Sequence, residues 1–235
     1  VAKLQHYHYF FMVYRGINME KIAENLEKIE NSITKLEIKH KVEIIAVSKG
    51  FTQEIVKNAI NIGITSFGEN KVQECELKFK ELVKIHQNIS IHLIGPLQTN
   101  KVKKSLNLFD TIHTLDREKL SLEIKKNISS ESKTKNFFIQ VNIGNEIQKS
   151  GIETQRLREF VKWNIFDLGL NVIGLMCIPP EKKDSTKYFQ ELYKMGKENN
   201  LRYFSMGMSN DYEKAIICGS THVRIGSSLF GLRKY

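Results

Sequence analysis

Along residues 19–40 (MEKIAENLEKIENSITKLEIKH), Ile22, Leu26, Ile29, Ile33 and Leu36 recur three or four positions apart between charged residues. That spacing predicts an amphipathic helix at the start of the domain. After it the pattern changes. Short apolar, β-branched runs, the mark of strands buried on both faces, predict strands at 43–48, 64–67, 90–95, 109–114, 136–143, 171–177, 202–206 and 222–226. Helical patterns fill the gaps, for example at 53–62, 70–86, 117–128, 154–166, 185–199 and 210–218. Alternation of this kind implies parallel strands joined by crossover helices. Eight such units with no break in the rhythm fit a closed (β/α)8 barrel better than an open sheet. The expected fold is α/β: a single TIM-type barrel with an extra N-terminal helix.

Only three prolines occur, and no Pro/Gly-rich stretch marks a linker. One domain over 19–235 is therefore expected. Residues 1–18 (VAKLQHYHYFFMVYRGIN) lack helical periodicity and the small-residue cleavage site of a secretory signal. They are expected to be a disordered or mis-started extension, with Met19 as the natural beginning. The polar run KKNISSESKTK at 125–135 reads as a loop.

Composition narrows the classes. Hydrophobic residues make up 41% and charged residues 26%, as in a soluble globular chain with a sizeable core. No apolar run approaches the ~18 residues of a membrane span. Cys75, Cys177 and Cys218 are odd in number and contain no CxxC pair. That argues for a reducing, cytoplasmic setting and against a disulfide framework or a zinc cluster. The net charge of +10 raises nucleic acid or acidic lipid as partners. Glutamates interleave with the lysines, however, and only seven residues are arginine. The charge reads as a solvated surface, with no nucleic-acid or membrane partner expected.

In a barrel, chemistry collects at the C-terminal ends of strands, and phosphate often binds after strands seven and eight. The ends here read SKG (48–50), FGEN (67–70), HLIGPLQTNK (92–101), HTLD (113–116), VNIGNEIQKSGI (141–152), GLMCIPP (174–180), SMGMSND (205–211) and RIGSSLFG (224–231). Lys49 follows a buried run, where a lysine is costly unless paired, neutralised or covalently used. Gly226 permits close backbone approach, and Ser227 and Ser228 open a helical turn whose N–H groups favour an anion; a plain N-cap and turn is the competing account. Ser209 opens a similar turn. A strand-end lysine, two anion-friendly turns and Arg224 near a heteroaromatic nitrogen would together describe a pyridoxal 5′-phosphate (PLP) site. His92 and His113 lack metal-ligand spacing and read as hydrogen-bonded barrel residues.

These motifs, together with IIAVSKG, FGENKVQE, IHTLDR and GSTHVRIGSSLFG, closely resemble the pyridoxal phosphate homeostasis proteins. That group is the single-domain branch of the alanine-racemase-like (fold type III) PLP proteins. The resemblance spans roughly residues 20–233 with the motifs in family order. It implies a PLP-holding TIM barrel in which Lys49 is the Schiff-base lysine. It implies Ser209, Gly226 and Ser227 as phosphate binders and Arg224 as the partner of the pyridine nitrogen. Asn70 would be a polar neighbour of the cofactor and Met206 would lie against the ring. Catalytic and metal residues are not expected.

Gly50 departs from the resemblance, because a threonine is usual there, and the proline often found shortly afterwards is absent; a looser loop after Lys49 is expected. The implied function is intracellular PLP homeostasis, by buffering or delivery, with effects on amino-acid and keto-acid metabolism. PLP-dependent apo-enzymes are the implied recipients, and a monomer or weak dimer is the implied state. The alternative is an amino-acid racemase. Racemases of this fold type add a second β domain that supplies a tyrosine acid/base, and residues up to Tyr235 leave no room for one. Two-base racemisation needs that second proton donor, so holding the cofactor is the expectation.

Overall fold

The computed structural model describes residues 19–146, 148–181 and 183–232. The expectation for residues 1–18 lies outside them. The first helix, α1 (Met19–Thr34), buries Ile22 and Ile29, two members of the predicted apolar stripe. Eight strands follow: β1 (Glu43–Val47), β2 (Ser66–Glu69), β3 (Ser90–Leu93), β4 (Thr111–Leu115), β5 (Asn136–Val141), β6 (Val172–Cys177), β7 (Tyr203–Met208) and β8 (His222–Ile225). Each pairs in parallel with the next, and β8 pairs with β1 through Ile44↔Val223 and Ala46↔Ile225, closing the barrel. Every predicted strand is present, with ends displaced by at most three residues.

The crossover helices are α2 (Gln53–Asn61), α3 (Val72–Phe79), the single turn α4 (Leu82–Ile85), α5 (Val102–Leu108), α6 (Glu118–Asn127), α7 (Leu157–Lys162), α8 (Thr186–Glu198), α9 (Tyr212–Ile217) and the short α10 (Ser227–Phe230). The helix expected over 70–86 is split into α3 and α4. The Gln53 side-chain amide takes the Lys78 carbonyl at 3.0 Å, an acceptor that a continuing helix would have used.

Most apolar side chains lie between the strands and the surrounding helices, including Phe67, Phe79, Phe109, Phe137, Phe189 and Phe204. Buried Ile45, Phe138 and Met176 stand apart from that cluster. The Phe138 ring stacks on His113 at 4.3 Å and meets His222 edge-on at 5.1 Å. TIM barrels commonly fill this interior with branched aliphatics. Here buried His92, His113, Ser205, His222 and Arg224 share it.

Candidate functional site

The C-terminal ends of the strands border a cleft of about 870 Å³. Lys49, Asn70, Ser209, Arg224, Gly226 and Ser227 all line it, so six of the seven predicted site residues come together although they span most of the chain. Met206 is fully buried in the outer apolar cluster instead. An irregularity in the β7–β8 ladder explains the displacement: Ser205 pairs with His222, but Met208 pairs with Arg224. One extra residue in β7 resets the inside–outside alternation, and Met208 reaches the cleft.

Lys49 sits in a turn directly after β1, closed by Phe51 N–H donating to the Ser48 carbonyl at 3.1 Å. The turn is braced from behind. Lys78, 5% exposed, donates to the Ser48 carbonyl at 2.7 Å and to the carboxylates of Glu69 at 2.5 Å and Glu74 at 3.1 Å. The Ser48 hydroxyl donates to the same Glu69 oxygen at 2.7 Å, and the Gly50 N–H donates to Glu74. Gly50 has φ +74°, a left-handed conformation that glycine adopts without strain. The turn expected to be loose is therefore tied to α3 at Ser48 and Gly50. Burial pushes the Glu69 carboxyl up, against the pull of Lys78 and Ser48. Burial also raises Glu74, but the Gly50 N–H and Lys78 outweigh it and hold that carboxyl below its ordinary value.

Across the cleft, the Gly226 and Ser228 N–H groups both point at the Ser209 hydroxyl oxygen, at 3.3 and 3.2 Å. Ser228 Oγ donates to the Ser209 carbonyl at 3.3 Å. Both amides are satisfied by that hydroxyl, which ties the Ser209 loop to the turn after β8 where Ser209, Gly226 and Ser227 line the cleft. The Asp211 carboxylate accepts the Met208 N–H at 2.8 Å and fixes the loop carrying Ser209. At the cradle's outer edge, the Asn25 amide of α1 donates to the Leu229 carbonyl at 2.9 Å.

Arg224 is 4% exposed and has no carboxylate partner among the described residues. Its Nη1 donates to the Ser205 carbonyl at 2.6 Å and the Ser205 hydroxyl at 2.8 Å, and its Nη2 to the Cys177 carbonyl at 2.9 Å. A guanidinium has five N–H groups, so these three bonds leave donors unused on a residue that lines the cleft. Burial lowers the arginine's proton affinity and raises that of the Cys177 thiol to about 12, so Cys177 is no thiolate. Among the described residues, Lys49, Lys149, Lys183, Lys214 and Arg224 face Glu181 and Asp211 around the cleft, five cations to two anions. That excess favours a phosphorylated ligand. No trio of metal-ligating side chains occurs among the described residues.

Sequence reading missed Lys78, Glu69 and Glu74. The FGENKVQECELKF stretch carries them, and the signal was a strand-end glutamate followed nine residues later by a lysine beside Phe79. It also treated His92 and His113 singly, whereas they are bonded to each other at 2.9 Å.

The family model described as "Alanine racemase, N-terminal domain" matches residues 17–234. A pyridoxal phosphate homeostasis protein of Aquifex aeolicus is 35% identical over 226 residues, 92% of this chain and 98% of that protein. Another, from Escherichia coli K12, is 32% identical over 231 residues, 92% of this chain and 99% of that protein. The solved structure of PipY from Synechococcus elongatus with PLP bound has a TM-score of 0.78 and 28% identity, covering 89% of this chain and all of that one. Alanine racemase from Corynebacterium glutamicum, 14% identical at a TM-score of 0.69, covers 92% of this chain and 62% of its own, and shares the fold. On the barrel, the strand-end cleft and these matches, the chain belongs to the alanine racemase N-terminal-domain family, within its branch of pyridoxal phosphate homeostasis proteins.

Proposed function

We propose that this protein binds PLP in the strand-end cleft, holds it covalently on Lys49, and serves cytoplasmic PLP homeostasis by buffering or delivering the cofactor. The observation that carries the reading is one cleft lined by the turn of Lys49, the buried guanidinium of Arg224 and the converging amides around Ser209. When bound, the cofactor would supply an aldehyde as the electrophile; Lys49 would hold it through the side-chain nitrogen, and Ser209, Gly226 and Ser227 would hold the phosphate. Arg224, a donor that carries no acceptor, would meet the ring nitrogen as a hydrogen-bond donor without giving it a full proton. Such a partner withdraws electrons less strongly than an acid would, which suits holding better than carbanion chemistry. Asn70 borders the cofactor from the end of β2.

The relatives' names and the PLP-bound PipY support this reading. Its test is the absorbance spectrum of the purified protein with added PLP, before and after borohydride. A visible Schiff-base band, bleached by borohydride and absent in Lys49→Ala, is expected. No band in the parent protein, or an unchanged one in Lys49→Ala, overturns it. Loss of α-deuterium from L-amino acids at enzyme-like rates would replace the homeostasis role with racemisation.

A further inference from the structure

The barrel interior contains a hydrogen-bonded file that holding a cofactor does not by itself require. It begins at Arg224, whose Nη1 lies 2.8 Å from Ser205 Oγ. Ser205 Oγ lies 2.9 Å from His113 Nδ1, and His113 Nε2 lies 2.9 Å from His92 Nδ1. His92 Nε2 then lies 3.2 Å from a carboxylate oxygen of Glu43. The members come from β8, β7, β4, β3 and β1, so the file crosses the barrel. Glu43, 37% exposed, opens onto a separate cavity of about 690 Å³ at the opposite mouth, which His92, His222 and Tyr203 also line.

Proton bookkeeping gives the file a direction. Arginine only donates, so Ser205 Oγ accepts from it and the Ser205 O–H goes to His113 Nδ1. His113 then carries its proton on Nε2 and donates to His92 Nδ1. His92 carries its proton on Nε2 and donates toward Glu43, where the file ends on a negative charge; the Ser90 hydroxyl lies 3.1 Å from the same Nε2 and shares that donor. Reversed, Ser205 would accept twice and leave its own O–H without an acceptor among its bonded neighbours. A hydroxyl that donates is also a better acceptor, because hydrogen bonds in a chain polarise one another.

We propose that Ser205, His113 and His92 are positioning residues that transmit the charge state of Glu43, at the far mouth of the barrel, to the guanidinium of Arg224. The inference rests on the reading that Arg224 serves the cofactor's ring nitrogen. Other groups also face the file. Glu43 meets His92, His222 and the Ser66 hydroxyl, and His222 bonds Thr221 Oγ1 at 2.8 Å. Phe138 packs on His113, and Lys41 and Glu30 border the mouth cavity. Burial holds His113 well below the ordinary histidine value, so it passes polarisation on as a neutral ring.

The first test needs no cofactor. Nitrogen-15 NMR of the histidine rings and of the Arg224 guanidinium is recorded for wild type, Glu43→Gln, Ser205→Ala and the double variant. The expected result is the Nε2–H tautomer at His113 and His92. The Arg224 resonances shift in Glu43→Gln, and Glu43→Gln has no effect once Ser205 is alanine. Nδ1–H tautomers, or an Arg224 signal blind to Glu43→Gln, overturn the proposal. In the PLP-loaded protein, Glu43→Gln is expected to move the absorbance band and weaken PLP retention roughly five- to tenfold, about the worth of one buried hydrogen bond. Glu43→Asp restores both. A protein that fails to bind PLP but keeps the NMR coupling refutes the cofactor reading and leaves the relay standing. A protein that binds PLP with wild-type spectrum and retention in Glu43→Gln refutes the relay alone.

Discussion

Replacing Lys78 with methionine separates the brace behind Lys49 from the cleft in front of it. Lys78 and Glu69 are 5% and 0% exposed, and the second Glu69 oxygen already has no hydrogen-bond partner among the described residues. Lys78→Met keeps the length of the side chain but leaves Glu69 a buried carboxylate supported only by the Ser48 hydroxyl. Breaking a buried pair from one side costs about 3–5 kcal/mol. At about 2–4 °C per kcal/mol for a chain of this size, the melting temperature falls by roughly 6–20 °C. The pH dependence has a definite sign. Glu69 is raised by burial even with Lys78 present, and losing the cation raises it further. A carboxyl raised in the folded state keeps a proton that the unfolded chain releases, so stability falls as pH rises above the ordinary carboxylate range. The penalty is therefore smaller near pH 5 than near pH 8. Thermal unfolding followed by circular dichroism at both pH values measures it, and adding Glu69→Gln should recover at least half of the loss. A fall under about 2 °C, or the same large fall at both pH values without rescue, would refute the reasoning.

Gly95→Ala would drive a methyl into the Asn70 backbone carbonyl; a stability loss of about 1–3 kcal/mol with weakened PLP retention is expected, measured by urea unfolding and spectral titration. Gly50→Ala forces a side chain into φ +74° and should cost about 1–2 kcal/mol in the same unfolding assay. Burial lowers His222 from 6.5 to about 4, against the pull of Glu43. The unfolded chain therefore binds that proton first, and about 3 kcal/mol of stability is lost as pH falls from 6.5 through 4, at 1.36 kcal/mol per pH unit. His222→Gln should flatten the wild-type slope of unfolding free energy over that range, and an unchanged slope would count against the buried neutral imidazole.

The strands were legible because each is a short apolar run between polar ends, and the shared cleft of six candidate residues was legible because barrel chemistry gathers at those ends. What sequence could not supply were pairings across the barrel. His113 and Ser205 are 92 positions apart and meet only after closure. Lys78 sits on a helix otherwise rich in charge, where helical spacing alone reads a lysine as solvated; the turn it supports lies 30 residues earlier. Met206 was placed against the ring by the resemblance alone; one inserted residue in β7 turns it into the outer core and brings Met208 to the cleft. The helix over 70–86 was read through because the Gln53 amide that takes its Lys78 carbonyl belongs to another element.

The bond from Asn25 to the Leu229 carbonyl joins residues 204 positions apart. During synthesis at about 5–20 residues per second, roughly 10–40 s separate the appearance of its two ends. The helix that braces the cradle is thus made before any strand of the barrel, and the turn it braces after all eight. Ser209, the amides it receives and Arg224 all follow β6 as well, so on the proposed reading a nascent chain carries Lys49 long before it can hold a phosphate. Capture of the cofactor is thereby tied to completion of the barrel, and partly made chains are poor competitors for a scarce and reactive aldehyde.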